Sequence, residues 1–292
     1  MGLIVQPMGN PILPSNNAIA VSAAQYTFEQ LADIYNQARV DYIVPMPMNA
    51  KRMAEYVRDY DIDLDASVVS LNGDGQETGV CMLGVRGERA WITRLGVIPE
   101  RRGHRLGQFL MERMLENAQS KGCSRVQLEV IQGNEPAIRL FHKLGFTPTR
   151  ELLIVRRPPG APPELPDYPP AQPMTEAEIA DVLSLPRPEA AWTEESASLL
   201  NAGGLCGARM TFADGESGWL IHQRQPFQIT HISICDRPSR RMLEGLLYSL
   251  HSENPTQDTK TENVPVDSAV WPVMQEFGYF EVFRRTEMIL PL

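Results

Sequence analysis

The chain has no run of about 18 apolar residues, so nothing in it reads as a membrane-spanning helix. Its four cysteines (Cys81, Cys123, Cys206 and Cys235) lie far apart, with no CxxC pair and no Cys/His spacing. That argues against a metal site or a disulfide frame, and for reduced, mostly buried thiols in a cytoplasmic protein. Neither GxxxxGK[ST] nor GxGxxG occurs, which removes the commonest nucleotide-binding signatures. A basic domain is missing too. Residues 1–157 carry 18 Lys and Arg against 17 Asp and Glu, and residues 158–292 carry 9 against 19, so nucleic acid is not an expected partner. The N-terminus has no basic residue ahead of its short apolar patch and no clear cleavage site, so no secretion signal is expected. Gln6 stands where a myristoylation signal would want Ser or Thr.

What is present suits two packed domains. At 292 residues and 43% hydrophobic, the chain can bury a sizeable core. Residues 1–17 read as a loose arm and Ala18–Ser22 as a first strand. Thr27-x-x-Gln30 matches a capping box for the next helix, and a second helix is expected near Asn49–Arg58. Three strands follow (66–71, 78–85 and 89–97), joined by tight turns. Asp59, Asp61, Asp63 and Asp65 alternate with apolar residues. On an extended chain all four would share one face, either the wet side of an edge segment or a site for a cation.

Arg101 to Gly107, RRGHRLG, then leads into a helix that runs to about Lys121 and is ended by Gly122. A helix start leaves amide N–H groups unpaired and carries partial positive charge. With a glycine and four Arg/His side chains beside it, this turn is a candidate phosphate or pyrophosphate cradle. A strand (125–131), a helix opened by Asn134-Glu135-Pro136 and stopped by Gly145, and a last strand (149–156) complete the first half. Half of residues 158–173 are proline, which reads as a stiff linker. Beyond it the same order of elements recurs: a helix over 175–185, strands near 205–212, 218–223 and 227–234, a helix near 239–252, a strand at 259–264, a helix at 267–277 and a strand at 281–290. Asp267 to Gly278 repeats the eleven-residue spacing of Asn134 to Gly145, and Phe277-Gly278-Tyr279 answers Leu144-Gly145-Phe146.

Val97-x-Pro99, Arg102-Gly103-x-x-Leu106-Gly107 and Asn134-x-x-Ala137-x-x-Leu140-Phe141-x-Lys143-Leu144-Gly145-Phe146 together resemble the Gcn5-related N-acetyltransferase (GNAT) superfamily. The resemblance covers about residues 18–157. It implies an α/β (α+β) fold of two GNAT-like domains, each a mixed, mostly antiparallel sheet flanked by helices: residues 1–157, a Pro-rich linker over 158–173, and a second, degenerate domain over 174–292. It implies acetyl-CoA as co-substrate and no metal. It also implies transfer of the acetyl group to a primary amine of a small molecule or peptide, by direct attack in a ternary complex. The pantetheine arm would pair with Leu95, Gly96 and Val97, and the pyrophosphate would sit on the amides of Arg102, Gly103, His104, Arg105, Leu106, Gly107 and Gln108. Asn134 would bond the pantetheine, flanked by Ala137, Phe141 and Lys143. Three departures bear on this. Arg105 replaces the usual middle glycine, Phe141 replaces the Tyr that protonates the leaving thiolate, and Thr93 and Arg94 offer no strand glutamate. Glu129 is the best candidate general base, its bland alternative being a solvated strand residue. His104 and His142 read as phosphate contacts or surface, and Cys123 as packing. In the second domain Cys235-Asp236-Arg237-Pro238 has no glycine and loses an amide at Pro238, so no coenzyme is expected there. The alternative for the whole chain is a coenzyme-binding or regulatory module without catalysis. A monomer or homodimer suits either reading.

Overall fold

The computed structural model describes residues 18–164, 168–185, 187 and 190–292. The arm at 1–17 lies outside the described residues. In chain order the elements are β1 (Ile19–Ser22), α1 (Phe28–Ala38), α2 (Ala50–Asp59), β2 (Val68–Leu71), β3 (Glu77–Arg86), β4 (Arg89–Val97), α3 (Leu106–Ser120), β5 (Arg125–Ile131), α4 (Glu135–Lys143) and β6 (Thr147–Arg157). They continue with β7 (Gln172–Pro173), α5 (Glu176–Leu183), α6 (Ser196–Ala202), β8 (Leu205–Thr211), β9 (Ser217–Arg224), β10 (Gln228–Ile234), α7 (Arg240–Glu253), β11 (Asp258–Pro265), α8 (Val270–Glu276) and β12 (Phe280–Pro291). Most borders fall where caps and turns put them. Thr27 and Gln30 close a reciprocal capping box on α1, Asn134 caps α4, and Gly122 and Gly145 take positive φ just past their helices. The two-residue β7 and the helix α6 have no counterpart in the sequence reading. α6 is seven residues long and has no side-chain cap, so it sends no start signal.

The chain packs as two compact units. The first holds the described residues up to Ala54, then Asp63–Ser124 and Leu292. Here β1, β2, β3 and β4 pair in order as an antiparallel meander. Leu110, Met111 and Met114 of α3 and Leu31 and Tyr35 of α1 are fully buried, as are Val80, Met82 and Leu83 of β3. These side chains form the core by removing apolar area from water.

The second unit holds Glu55–Ile62 and Arg125–Pro291. Its strands run β5-β12-β6-β11-β10-β9-β8-β7. The two repeats are legible in it. α4 and α8 end alike: Gly145 and Gly278 have φ 92° and 88°. The next amides, of Phe146 and Tyr279, both bond back to the fifth residue before them, Phe141 and Met274, at 3.0 Å. The last strands of the repeats, β6 and β12, lie side by side, antiparallel. Each also pairs with the other repeat's preceding strand: β12 with β5, and β6 with β11. The final strands are therefore exchanged between repeats. Leu153 and Val155 of β6 accordingly pack into a core built from the second repeat, with Leu243, Leu246, Leu247 and Leu250 of α7 and Val273, Met274 and Phe277 around α8.

One expectation is corrected. The segment from Asp59 to Asp65 is not extended. Asp59 ends α2, Asp61 sits in the left-handed region at φ 52°, and Asp63 turns the chain by accepting from the Ala66 amide. The carboxylates have separate partners: Asp59 Arg58, Asp61 the Asn201 amide, and Asp63 Lys121. The start of the proline-rich stretch is tied down by hydrogen bonds. The buried Arg157 donates to the carbonyls of Pro158, Gly160, Ala161 and Phe277, and Gly160 donates to Pro255. Prolines have no N–H to spend, so their stretch offers carbonyls, and one guanidinium fork gathers them.

Candidate active site

The phosphate turn is built at the end of β4. The strand runs regularly against β3 until its register breaks beside Arg94, which holds φ 54°. That bulge bends the strand and re-aims its last residues, Leu95, Gly96 and Val97. Gly96 is there for a steric reason, since a Cβ would lie 2.8 Å from the Ala38 Cβ at the end of α1. A short 3-10 turn, Pro99–Arg101, follows, and then the exposed residues Arg102 to Arg105.

Arg102 is held by bonds within the chain. Its amide bonds Pro99, and its guanidinium grips both oxygens of Asp41 at 2.6 and 2.8 Å while reaching the carbonyls of Val97 and Ala38 at 3.1 Å. It clamps the turn to the end of α1. Asp41 is held below its ordinary carboxylate range by that hydrogen bond. Gly103 lies at φ 84°, a conformation a side chain would strain, and a Cβ there would meet open space. Arg105 occupies the N-cap position of α3 at φ 59°, ψ 17°, and makes no side-chain cap. The left-handed requirement explains why a glycine would be at home there. Since no side chain caps α3, the first amides of the helix, at Leu106 and Gly107, keep their donors for an outside acceptor. His104 is exposed beside them. A pyrophosphate fits this cradle. It offers uncapped amides, the positive end of the helix dipole and the guanidinium of Arg105.

The remaining predicted residues lie on β5 and α4 of the other unit. The Asn134 side chain accepts from the Ala137 amide at 3.4 Å and so caps α4. Phe141 is 6% exposed and packs on Phe146 with ring centroids 6.0 Å apart, which makes it a core residue carrying no hydroxyl. Lys143 and His142 are exposed on the last turn of α4. Cys123 is buried, and burial pushes its thiol pKa up, so it is packing and not a nucleophile. Glu129 is half-buried on β5.

Sequence reasoning missed the neighbour of Glu129. In the β5–β12 register Glu129 lies directly opposite Glu287, which on its other side faces Arg150 of β6. Glu287 is only 5% exposed. It receives Nε and Nη2 of Arg150 at 2.9 Å each and the Thr149 hydroxyl at 2.8 Å. Three charged residues thus line one row across three strands. No local signal marks Glu287, because 158 positions separate it from Glu129.

In the second repeat, His231 of β10 has the same φ of 54° at the same kind of register break as Arg94. The helix start differs. Ser239 caps α7 by accepting from the Met242 amide at 3.2 Å, and Arg241 is held by Asp214 and Glu216. Here a side chain caps the helix start, where α3 has none.

Residues 29–146 match the model of the acetyltransferase (GNAT) family. Over this stretch the chain is similar to the GNAT family. A curated relative from Bacillus subtilis, a putative ribosomal protein bS18-alanine N-acetyltransferase, is 34% identical over 83 residues, which are 28% of this chain. The chain spans 55% of the length of that relative. A GCN5-related N-acetyltransferase from Sphaerobacter thermophilus has the same fold, with TM-score 0.68 at 16% identity, covering 94% of this chain and 95% of that one. A tandem GNAT protein from the clavulanic acid biosynthesis pathway gives TM-score 0.63 at 16% identity, covering 94% and 98%. These likenesses establish the fold through both repeats. Among the described residues no helix is long and apolar enough to cross a membrane.

Proposed function

We propose that the chain is an acetyl-CoA-dependent N-acetyltransferase acting on a primary amine of a small molecule or peptide. The observation that carries this reading is the uncapped, left-handed entry to α3, within the family-matched residues 29–146. Acetyl-CoA would supply an activated thioester. The amides of Gly103 to Gln108 and the Arg105 guanidinium would hold its pyrophosphate, Leu95 to Val97 and Asn134 its pantetheine, and Ala137, Phe141 and Lys143 its flank. The chain's own work is then to orient the amine and move its protons. The incoming ammonium must lose one proton before its nitrogen bonds the acetyl carbon; the C–S bond then breaks with its electron pair leaving on sulfur, and the nitrogen gives up a second proton as the amide forms. Glu129 would take the amine's proton, directly or through one water. Holding amine and thioester in line can supply much of the rate. Phe141 has no hydroxyl, so the thiolate would draw its proton from elsewhere.

Residues 158–173 are taken as the junction between a coenzyme-binding repeat (1–157) and a degenerate one (174–292). The setting is taken as cytoplasmic, and the chain as a monomer or homodimer. Phe141 also favours a second reading, a module that binds acyl-CoA without turning it over. Calorimetry with acetyl-CoA, followed by thiol release in a broad amine panel, tests both. Absence of saturable binding removes both readings, and turnover with any amine removes the second.

A further inference from the structure

Strands β10 and β11 of the second repeat pair in parallel only at Gln228–Asp258 and Ile229–Thr259. Beyond that each strand breaks register, at His231 and at Asn263, both with positive φ, and a cavity of about 650 Å³ opens at the splay. That volume is in the range of sites for small organic ligands. A phosphate is a poor guest at the start of α7, because Pro238 has no amide and the Ser239 hydroxyl already takes the Met242 amide.

The polar groups in the wall come as opposite charges among apolar surfaces. Glu194 is 9% exposed. Its Oε1 lies 3.4 Å from His231 Nδ1, while its buried Oε2 has no partner. Ser233, 2% exposed, likewise has a buried hydroxyl without a partner. Arg187 donates through Nη1 to the Glu194 carbonyl at 2.9 Å, and among the described residues the rest of its fork makes no further hydrogen bond. Ile232, Ile234 and Val264 supply the apolar part. A buried carboxylate oxygen without a donor costs free energy that a bound cation would recover. A guanidinium fork matches a carboxylate in the same way.

We propose that this cavity is a second binding site, independent of the coenzyme, for a zwitterion of the amino-acid class with an apolar side chain. The ligand's ammonium meets Glu194 Oε2 and the Ser233 hydroxyl, its carboxylate meets Arg187, and its side chain lies on Ile232, Ile234 and Val264.

The test titrates the full chain by calorimetry, with and without saturating coenzyme A. The probes are leucine, phenylalanine, phenylalanine methyl ester (cation only) and N-acetylphenylalanine (anion only). A free amino acid should bind with one-to-one stoichiometry whether or not coenzyme A is present, and each half-charged probe at least about ten-fold more weakly, since each loses one charge-assisted contact. Glu194→Gln should weaken binding by a similar factor. Ala269→Trp, at an exposed position of the cavity wall, should abolish it while the melting profile stays that of the wild type. Ala269→Trp decides the matter should Glu194→Gln fail to fold. The proposal is overturned if neither amino acid binds, if the ester binds as well as the free acid, if coenzyme A competes, or if Ala269→Trp leaves binding unchanged.

Discussion

Replacing Arg105 by glycine separates two roles that the α3 entry combines. The backbone there is left-handed, at φ 59°, a conformation that costs an L-residue about 1–2 kcal/mol. Glycine removes that strain but returns roughly 0.5–1 kcal/mol through the extra freedom of the unfolded chain. The expected net gain is up to about 1 kcal/mol, or a rise in melting temperature of about 2–4 °C for a structure of this size. Coenzyme binding should move the other way. Unlike Arg102, which is tied to Asp41, the exposed Arg105 guanidinium makes neither a cap nor an ion pair among the described residues. A charge-assisted contact to phosphate is worth about 1.5–3 kcal/mol, so Arg105→Gly should weaken acetyl-CoA binding by roughly 10- to 100-fold. The loss should shrink as salt rises from 0.05 to about 0.5 M, because screening weakens an exposed charge pair. Thermal melting and calorimetry on one pair of proteins check both halves. A more stable variant with unchanged or tighter coenzyme binding would refute the phosphate role and leave Arg105 as a tolerated substitution.

Three further outcomes are expected. Gly96→Ala drives a methyl to 2.8 Å from the Ala38 Cβ and should cost about 1–3 kcal/mol in urea unfolding; adding Ala38→Gly should recover part of it, and additive losses would count against the contact. Glu129→Gln should lower kcat by about 10²–10⁴ with acetyl-CoA affinity unchanged, and an unaffected kcat in a thiol-release assay would remove Glu129 as the base. Burial lowers His222 to about 4 and His251 to about 3, both also near positive charge, so both are neutral in the fold. Their contribution is full above the ordinary histidine value near 6.5 and is lost as pH falls below it. Each gives a slope of about 1.4 kcal/mol per pH unit between pH 6.5 and its folded pKa. His231 is shifted up, with Glu194, Glu262 and Asp59 outweighing its burial, and has the opposite sign. Its contribution is full below pH 6.5 and fades as pH rises through the folded value. Urea midpoints at pH 7 and pH 5 should therefore fall on acidification, and His222→Gln should flatten the fall.

Legibility followed the range of the physics. Thr27 with Gln30, Asn134 with Ala137, and Gly145 past α4 act within a few residues, so the sequence by itself determined where helices begin and end. The alternation of apolar residues likewise marked most strands, and the matched spacing of Asn134–Gly145 and Asp267–Gly278 marked the repeat. The uncapped start of α3 was readable as a candidate anion cradle because a helix start carries its donors and dipole wherever it is placed.

Pairing between distant strands was not readable. Whether β6 and β12 close their own repeats or exchange is invisible locally, because both arrangements bury the same faces and satisfy the same backbone groups. That exchange alone sets Glu287 opposite Glu129 and beside Arg150. The partners of Arg102 have no local sign either, because the fold brings Asp41 and the Ala38 carbonyl to it from 61 and 64 positions away. Gly96 has a purpose only against Ala38, and the cavity at the β10–β11 splay exists only once both strands break register. The sequence wrote the elements and one candidate anion cradle; tertiary structure decided which charges meet, because a side chain's partner is fixed by space and not by spacing.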